Sequence, residues 1–438
     1  MWRLIACVFL PFAAGYYLSY LFRTINALVS GPLATELGLD AADLGLLTSV
    51  YFLAFGGAQI PIGMLLDRYG PRRVQSVLLL VATIGAALFG ASSGFLPLLI
   101  ARAMIGLGVA AALMAGLKAI VIWFPRERVA LVNGYMIMLG GLGAVTATVP
   151  AEWLMEWLGW RGLFAVLAIA SLAVAALIFA AVPEVARSGE SGPNTPGLRA
   201  IYTDSRFWRI APLSASCIGS AWSLQSLWAA PWLTDVEGLT REALIAQLFI
   251  MAIGLSVSAL LLGVIADRLR RRGVGPEILF AAAATLFVVA ELALILRLPL
   301  PSLLPWSMVP LVGASTVLSY AMLAEYFPME LAARANGGLN VLHFGWAFAT
   351  QYGTGLILQQ WPAQNGHYPI VAYQVTFGLS AAVHIAALGW FIVPWLRALS
   401  SRMPTVTRRE SASGEGLLDP VIPPAEIAIL DAPERPEW

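Results

Sequence analysis

The stretch Gly63 to Arg73, G-M-L-L-D-R-Y-G-P-R-R, decides how the rest of this chain is read. It lies between two long apolar runs. An aspartate and three arginines are costly inside hydrocarbon, so the cluster belongs at a membrane surface, on a short turn between two spanning helices. The frame returns 200 residues later, where Gly263, Asp267, Arg268 and Arg272 stand in the places of Gly63, Asp67, Arg68 and Arg72. A second repeat agrees with it: Phe124 to Gly134 and Phe327 to Gly337 share the pattern F-P-x-E-x-x-A-x-x-N-G at an offset of 203. Two motifs with nearly one offset mark a duplicated half.

Composition fixes the solvent. Hydrophobic residues make up 59% of the chain and charged residues 12%, with a mean hydropathy of +0.79, whereas soluble domains carry about 25% charged residues. This is the composition of a polytopic membrane protein, with the lipid bilayer as its surroundings. The net charge of +1 points to no nucleic acid. Cys7 and Cys217 both fall in apolar runs and offer neither a disulfide framework nor a metal site. No cofactor motif is present; in particular, no phosphate-binding loop of the G-x-x-x-x-G-K type supports pumping by ATP hydrolysis.

Apolar runs of about 20 residues signal membrane helices. Six lie at Ile5 to Leu28, Leu44 to Leu66, Val74 to Gly90, Leu96 to Phe124, Val129 to Leu154 and Leu163 to Val182. Six more lie at Ile210 to Leu233, Leu244 to Ala266, Glu277 to Leu296, Ser302 to Phe327, Gly337 to Gln360 and Ile370 to Leu396. The expected fold is an all-α membrane protein, with twelve transmembrane helices in two six-helix bundles related by a pseudo-two-fold axis. Residues 1–183 form the first bundle, 184–207 a linker containing S-G-E-S-G-P-N-T-P-G, 208–396 the second bundle and 397–438 a polar, proline-rich, disordered tail. Arg3 ahead of an apolar run resembles a secretory signal, but the run continues through Tyr16, Tyr20 and Arg23 without a cleavage site and reads as the first span.

Short loops rich in arginine stay in the cytoplasm. Arg68, Arg72 and Arg73 follow the second span, Arg126 and Arg128 the fourth, and Arg268, Arg270, Arg271 and Arg272 the eighth. The opposite segment, Ser30 to Asp43, carries only acids. Both termini are therefore expected in the cytoplasm, with the protein multi-pass in a cell inner membrane.

The twelve-span layout, the G-x-x-x-D-R-x-G-x-R-R loop with its degenerate copy, and Arg102-x-x-x-Gly106-x-Gly108 in the fourth span resemble the major facilitator superfamily. The likeness covers Ile5 to Leu396. Arg23 in R-T-I-N-A, followed by a second span ending Q-I-P-I-G-M-L-L-D-R-Y-G, is similar to its anion:cation symporter group, which moves organic anions. The resemblance implies a gate: Gly63, Asp67, Arg68 and Arg72 facing Glu330 and Arg334 at the start of the eleventh span, mirrored by Asp267 and Arg268 facing Glu127 and Arg128. An aspartate there meets the positive end of a helix dipole. Such contacts form only when the cytoplasmic ends of the halves touch. The second copy has Arg270 where the first has Gly70, which puts its loop geometry in question.

Charges inside spans point to the substrate, because each is costly unless it faces a cavity or a partner. The first half holds three deep bases, Arg23, Arg102 and Lys118, and no comparably deep acid. Arg23 shares a helical face with Tyr16, Tyr20 and Asn26, and a guanidinium binds carboxylate or phosphate through two parallel hydrogen bonds. The alternative for Arg23 is an arginine paired to backbone carbonyls. Lys118 either contacts the anion or reaches the cytoplasmic surface along its stem. By resemblance Arg102 assists proton movement or packing. In the second half Trp222, Gln225, Tyr320, Asn340 and His343 are candidates for lining the cavity, His343 being the titratable group near the centre. Glu291 reads as a structurally paired acid in the ninth span.

The function expected is a secondary active transporter, not an enzyme. It moves a small organic anion of carboxylate type by alternating access, as proton-coupled uptake through a single polypeptide acting as a monomer. The helix-5 segment G-G-L-G-A-V-T-A-T-V-P lacks the G-P-x-x-G-G arrangement of proton-antiport exporters. A multidrug or metabolite exporter is the alternative, and a non-transporting nutrient sensor a third.

Overall fold

Gly70 and Pro71 make the turn that the charged stretch announces. Gly70 takes φ 77°, a left-handed conformation that suits a residue without Cβ, and Pro71 opens the next helix with its φ already set. In the second copy the breaker moves: the helix runs on to Arg270, Gly273 takes φ 76°, and Pro276 starts the following helix. The loop whose geometry Arg270 put in question is thus rebuilt three positions later. Asp267 is held in it by Arg271, one helical turn on, at 2.8 Å.

The computed structural model describes residues 2–184, 198–364 and 366–400, apart from the side chains of residues 130, 198, 329, 330, 333 and 395–400. Among these the chain is helical, with one isolated bridge between Gln364 and His367 and no strand. The helices are α1 (Trp2–Thr24), α2 (Asn26–Leu37), α3 (Ala41–Ala91), α4 (Phe95–Trp123), α5 (Arg126–Thr146) and α6 (Val149–Ala181). They continue as α7 (Ser205–Ser223), α8 (Arg241–Arg270), α9 (Pro276–Ile295), α10 (Leu303–Tyr326), α11 (Met329–Leu358) and α12 (Ile370–Ser400). A π-helical turn, Leu224–Trp228, carries α7 on into Ala229–Asp235.

Nine helices among the described residues are long and apolar enough to cross a membrane. Among the described residues α3 divides at Gly70, α6 breaks in the same way at Gly159, and α7 with its extension and α11 have the length without the apolarity. The reason is visible in α7, whose buried face carries Ser214, Ser216, Ser220 and Ser223. Within the expected linker, Leu198–Tyr202 is a short helix, and residues 185–197 lie outside the described residues. Residues 401–438 of the expected tail also lie outside them, and α12 extends past Leu396 to Ser400.

The most extensive contacts between the helices before the linker and those after it are two. α3 packs along α11, and α5 against α8. Small residues let the backbones approach: a Cβ on Gly355 would sit 2.3 Å from the Ala41 carbonyl, and one on Gly45 2.9 Å from the Gln351 carbonyl.

Candidate functional site

The first helix breaks where the sequence places its arginine. Thr24 Oγ1 donates to the Tyr20 carbonyl at 2.9 Å, a back-bond that bends helices. Ile25 separates α1 from α2. Arg102 Nη2, buried in α4, donates to the Phe22 carbonyl at 2.8 Å. Arg102 thus holds the turn before the kink, and its own guanidinium carbon lies 4.8 Å from the Tyr51 ring centre.

Arg23 projects from this kink into a cage of four rings. Its guanidinium carbon lies 4.8 Å from the Tyr20 ring centre, 5.5 Å from Phe55, 5.0 Å from Trp222 and 5.4 Å from Phe344. Two rings come from each half of the chain, and such contacts contribute roughly 0.5–2 kcal/mol each. Arg23 is buried and its Nε has no hydrogen-bond partner. Among the described residues no carboxylate lies within salt-bridge range of it.

The other candidates fall around this cage with different partners. Tyr16 packs edge-on to Tyr20 at 5.2 Å, and Asn26 is buried just past the kink. Tyr320 donates to Asn340 Oδ1 at 2.9 Å, and Asn340 Nδ2 donates to Gln59 Oε1 at 3.2 Å. Gln59, on α3, also donates to the Phe55 and Ala110 carbonyls, so one polar chain joins α10, α11, α3 and α4. Gln59 was not singled out from the sequence, because a lone glutamine in an apolar run carries no spacing signal. His343 is fully buried, with Nε2 2.8 Å from Ser214 Oγ, and Trp222 packs against it. Gln225, in the π-helical turn, lines a small void with Thr24 and Thr148, and its amide nitrogen has no partner.

The α3–α11 seam is closed at one end only. Running from the acid-bearing end, it is made by Ala41 against Gly355, Gly45 against Gln351, Gly56 against Phe344 and Gln59 against Asn340. The next pair in that antiparallel register is Gly63 with Gly337, and a Cβ at either would meet nothing within 4 Å. At the acid-bearing end further contacts cross between halves. Arg241 grips Glu152 with two bonds, at 2.7 and 2.6 Å, and donates to the Leu28 carbonyl. The Ala41 amide donates to the Tyr368 hydroxyl at 3.0 Å. Asp235 accepts from the Tyr368 amide at 3.0 Å and the Tyr373 hydroxyl at 2.6 Å, and pairs with His367 at 2.7 Å. Several of these residues line an open pocket of about 580 Å³, together with Ser30 and Asp40. None of them was legible in sequence, because their partners are 89 or more residues away.

At the arginine-rich end Asp67, Arg72 and Asp267 among the expected gate residues bind partners within their own halves. Lys118 Nζ binds Asp67 Oδ1 at 2.6 Å and the Leu66 carbonyl at 2.9 Å. Asp67 therefore meets a base of its own half and not Arg334. Asp267 pairs with Arg271, not with Arg128. Arg68 stacks on Tyr69, Arg72 Nε donates to the Phe179 carbonyl at 2.8 Å, and Arg268, Glu127, Arg128 and Arg334 are exposed. The Glu330 side chain lies outside the described residues. The nearest described partner of each aspartate is thus a base of its own half.

A sequence profile of the Major Facilitator Superfamily matches residues 12–351. The chain belongs to that superfamily. It is similar to the "Probable L-galactonate transporter" of Escherichia coli K12, 31% identical over 170 residues that cover 39% of this chain and 37% of that protein. It is 29% identical over 158 residues to the "Probable sulfoacetate transporter" of Cupriavidus necator, covering 36% of each. The "Hexuronate transporter" of E. coli K12 is 31% identical over 183 residues, 41% of each chain. The chain thus covers about two fifths of the length of these curated relatives. Among solved structures, a bacterial homologue of the human lysosomal transporter Spinster superposes with a TM-score of 0.74 at 19% identity, over 91% of this chain and 98% of that one. A D-xylose–proton symporter gives 0.65 at 16% identity, over 87% of this chain and 96% of that one. Both share the superfamily fold.

Proposed function

We propose that this superfamily member is a secondary active transporter that takes up a small organic anion of carboxylate type across the inner membrane by alternating access. The observation that carries the reading is Arg23: a buried guanidinium, reached by rings from both halves, with no carboxylate of the protein paired to it. An uncompensated charge at membrane depth is retained where it has a ligand to bind, and a guanidinium fits a carboxylate with two parallel bonds. The names of the relatives, transporters of galactonate, hexuronate and sulfoacetate, agree with an anionic cargo. Tyr320, Asn340 and Gln59 offer hydroxyl and amide groups near the cage for the rest of a polar substrate.

In this reading the arginine-rich end faces the cytoplasm, both termini lie there, and the described state is open inward. The drive is a proton gradient, and the working unit is one chain. Asp67, Arg68 and Arg334 come together when that end closes, the cargo then leaving or entering from the other side. The exporter alternative has the aromatic lining in its favour but leaves the unpaired guanidinium without a role.

Counterflow of labelled galactonate, glucuronate and sulfoacetate in proteoliposomes tests this. Arg23→Ala is expected to lower uptake of the cargo about a hundredfold or more, as loss of one partner of a buried charge pair does, and Arg23→Lys to recover only part. Unchanged transport in Arg23→Ala would remove the anion chemistry.

A further inference from the structure

We infer that Glu291 and His384 form a second site, a proton-binding centre behind the substrate cage, and that it carries the coupling proton; this rests on the anion-transport reading above. Glu291 on α9 and His384 on α12 are 93 residues apart, and His384 Nδ1 lies 2.7 Å from Glu291 Oε2. Both side chains are sealed, at 4% and 0% exposure. His384 Nε2 lies 3.1 Å from Ser220 Oγ on α7, and Trp346 Nε1 on α11 donates to the same oxygen at 3.1 Å. The Phe287 ring packs on the imidazole at 5.3 Å, and Cys217, one turn before Ser220, is the other ionisable side chain beside the carboxylate. Among the described residues no Lys, Arg or further acid pairs with them.

A carboxylate and an imidazole in contact form one proton-sharing unit. With one proton the unit is neutral, whichever atom holds it; with none it carries one negative charge. Because the Trp346 N–H already fills one lone pair of Ser220 Oγ, the serine hydroxyl is free to donate to Nε2 when the ring is neutral, and Oγ accepts from Nε2–H when it is charged. Both protonation states are therefore hydrogen-bonded.

Connection to the cage is short. Ser220 touches the pair and Trp346 touches Ser220, while Trp222 and Phe344, each two positions away on the same helices, touch Arg23. α7 and α11 meet closely at this level, a Cβ on Gly219 falling 2.8 Å from the His343 carbonyl. They stand between the two charged centres. Charge accounting then links the centres: an empty carrier with the pair deprotonated and a carrier loaded with a monovalent anion and the pair protonated have the same total charge. Half-loaded forms differ from these by one charge inside the membrane, which is costly. One proton moves with one anion, and no bond other than the N–H or O–H is made or broken.

The test uses Glu291→Gln and His384→Gln in proteoliposomes, each assayed by counterflow of labelled galactonate and by accumulation driven by a pH gradient. With one proton per anion, accumulation in the native protein rises about tenfold per pH unit. In both variants gradient-driven accumulation is expected to fall at least about tenfold further than counterflow, and the pH dependence to flatten. Equal loss in the two assays, or retained accumulation, overturns the proposal. A second measurement needs no variant to transport. The chain has three histidines, so the ¹⁵N signals of His384, identified by their loss in His384→Gln, can be followed in the native protein. They are expected to change over the pH range in which transport changes; signals insensitive to pH overturn the proposal. If the native protein carries none of the three anions, the transport reading fails, and pH-dependent signals then show only that the pair takes up a proton, while the coupling role falls with that reading.

Discussion

The two ends of the α3–α11 seam have similar chemistry and opposite outcomes. Both carry acids and bases in short connections. At the acid-bearing end Arg241 joins Glu152 across halves, beside the hydrogen bond from the Ala41 amide to Tyr368, over a contact of glycine on backbone. At the arginine-rich end they stay local, Lys118 with Asp67 and Arg271 with Asp267, where Gly63 and Gly337 meet nothing. The difference teaches that packing distance, not charge, selects the partner: a salt bridge forms with whatever base the backbone brings within about 4 Å.

That comparison can be broken most strongly at Gly355. A leucine there drives side-chain atoms into the Ala41 backbone, whose carbonyl lies 2.3 Å from an ideal Cβ. The closed end should part, and a cysteine at Ser30, in the cavity at that end, should react with a membrane-impermeant maleimide about tenfold or more faster in a Cys7→Ser, Cys217→Ser background. Glu152→Gln acts next. Arg241 loses the opposite charge and one of its two bonds, the amide keeping a single acceptor oxygen, and with side-chain exposures of 39% and 12% for Arg241 and Glu152 the pair is partly shielded, so a shift of about 1–2 kcal/mol toward opening is expected. The same labelling rate should rise several-fold.

Asp67→Asn sharpens the contrast from the other side. Lys118 and Asp67 are 31% and 66% exposed, and exposed pairs contribute about 0–1 kcal/mol. The melting temperature should move by only a few degrees and labelling at Ser30 not at all; a large change in either would mean that this end is latched too. The smallest effect concerns Glu36, whose hydrogen bonds from Trp160 and Arg161 hold its carboxyl below the usual range. A lowered folded-state value gives stability that is full at neutral pH and fades as pH falls through that value. The native melting temperature should therefore drop slightly more than that of Glu36→Gln on acidification, and parallel curves would dismiss the contact.

Much of the fold was legible because the bilayer imposes it. Long apolar runs, the two charged turns and the offsets of 200 and 203 follow from hydrocarbon excluding charge and from duplication. Arg23 was legible for the same reason. Gln59, Glu152, Arg241 and Asp235 were not, since nothing local distinguishes them from ordinary polar residues near helix ends. His384 was hidden more deeply, sharing no motif or face with the acid it meets.

By itself, then, the sequence determined the solvent, the repeat, the placement of turns and the presence of a base within the first apolar run, since each is set by the residues within one helix or loop. Only the tertiary structure decided which charges meet. Partner choice depends on how helices rotate and close against one another, and the part of the seam from Ala41 to Gln59 is what brings Arg241 to Glu152 while leaving Asp67 to Lys118.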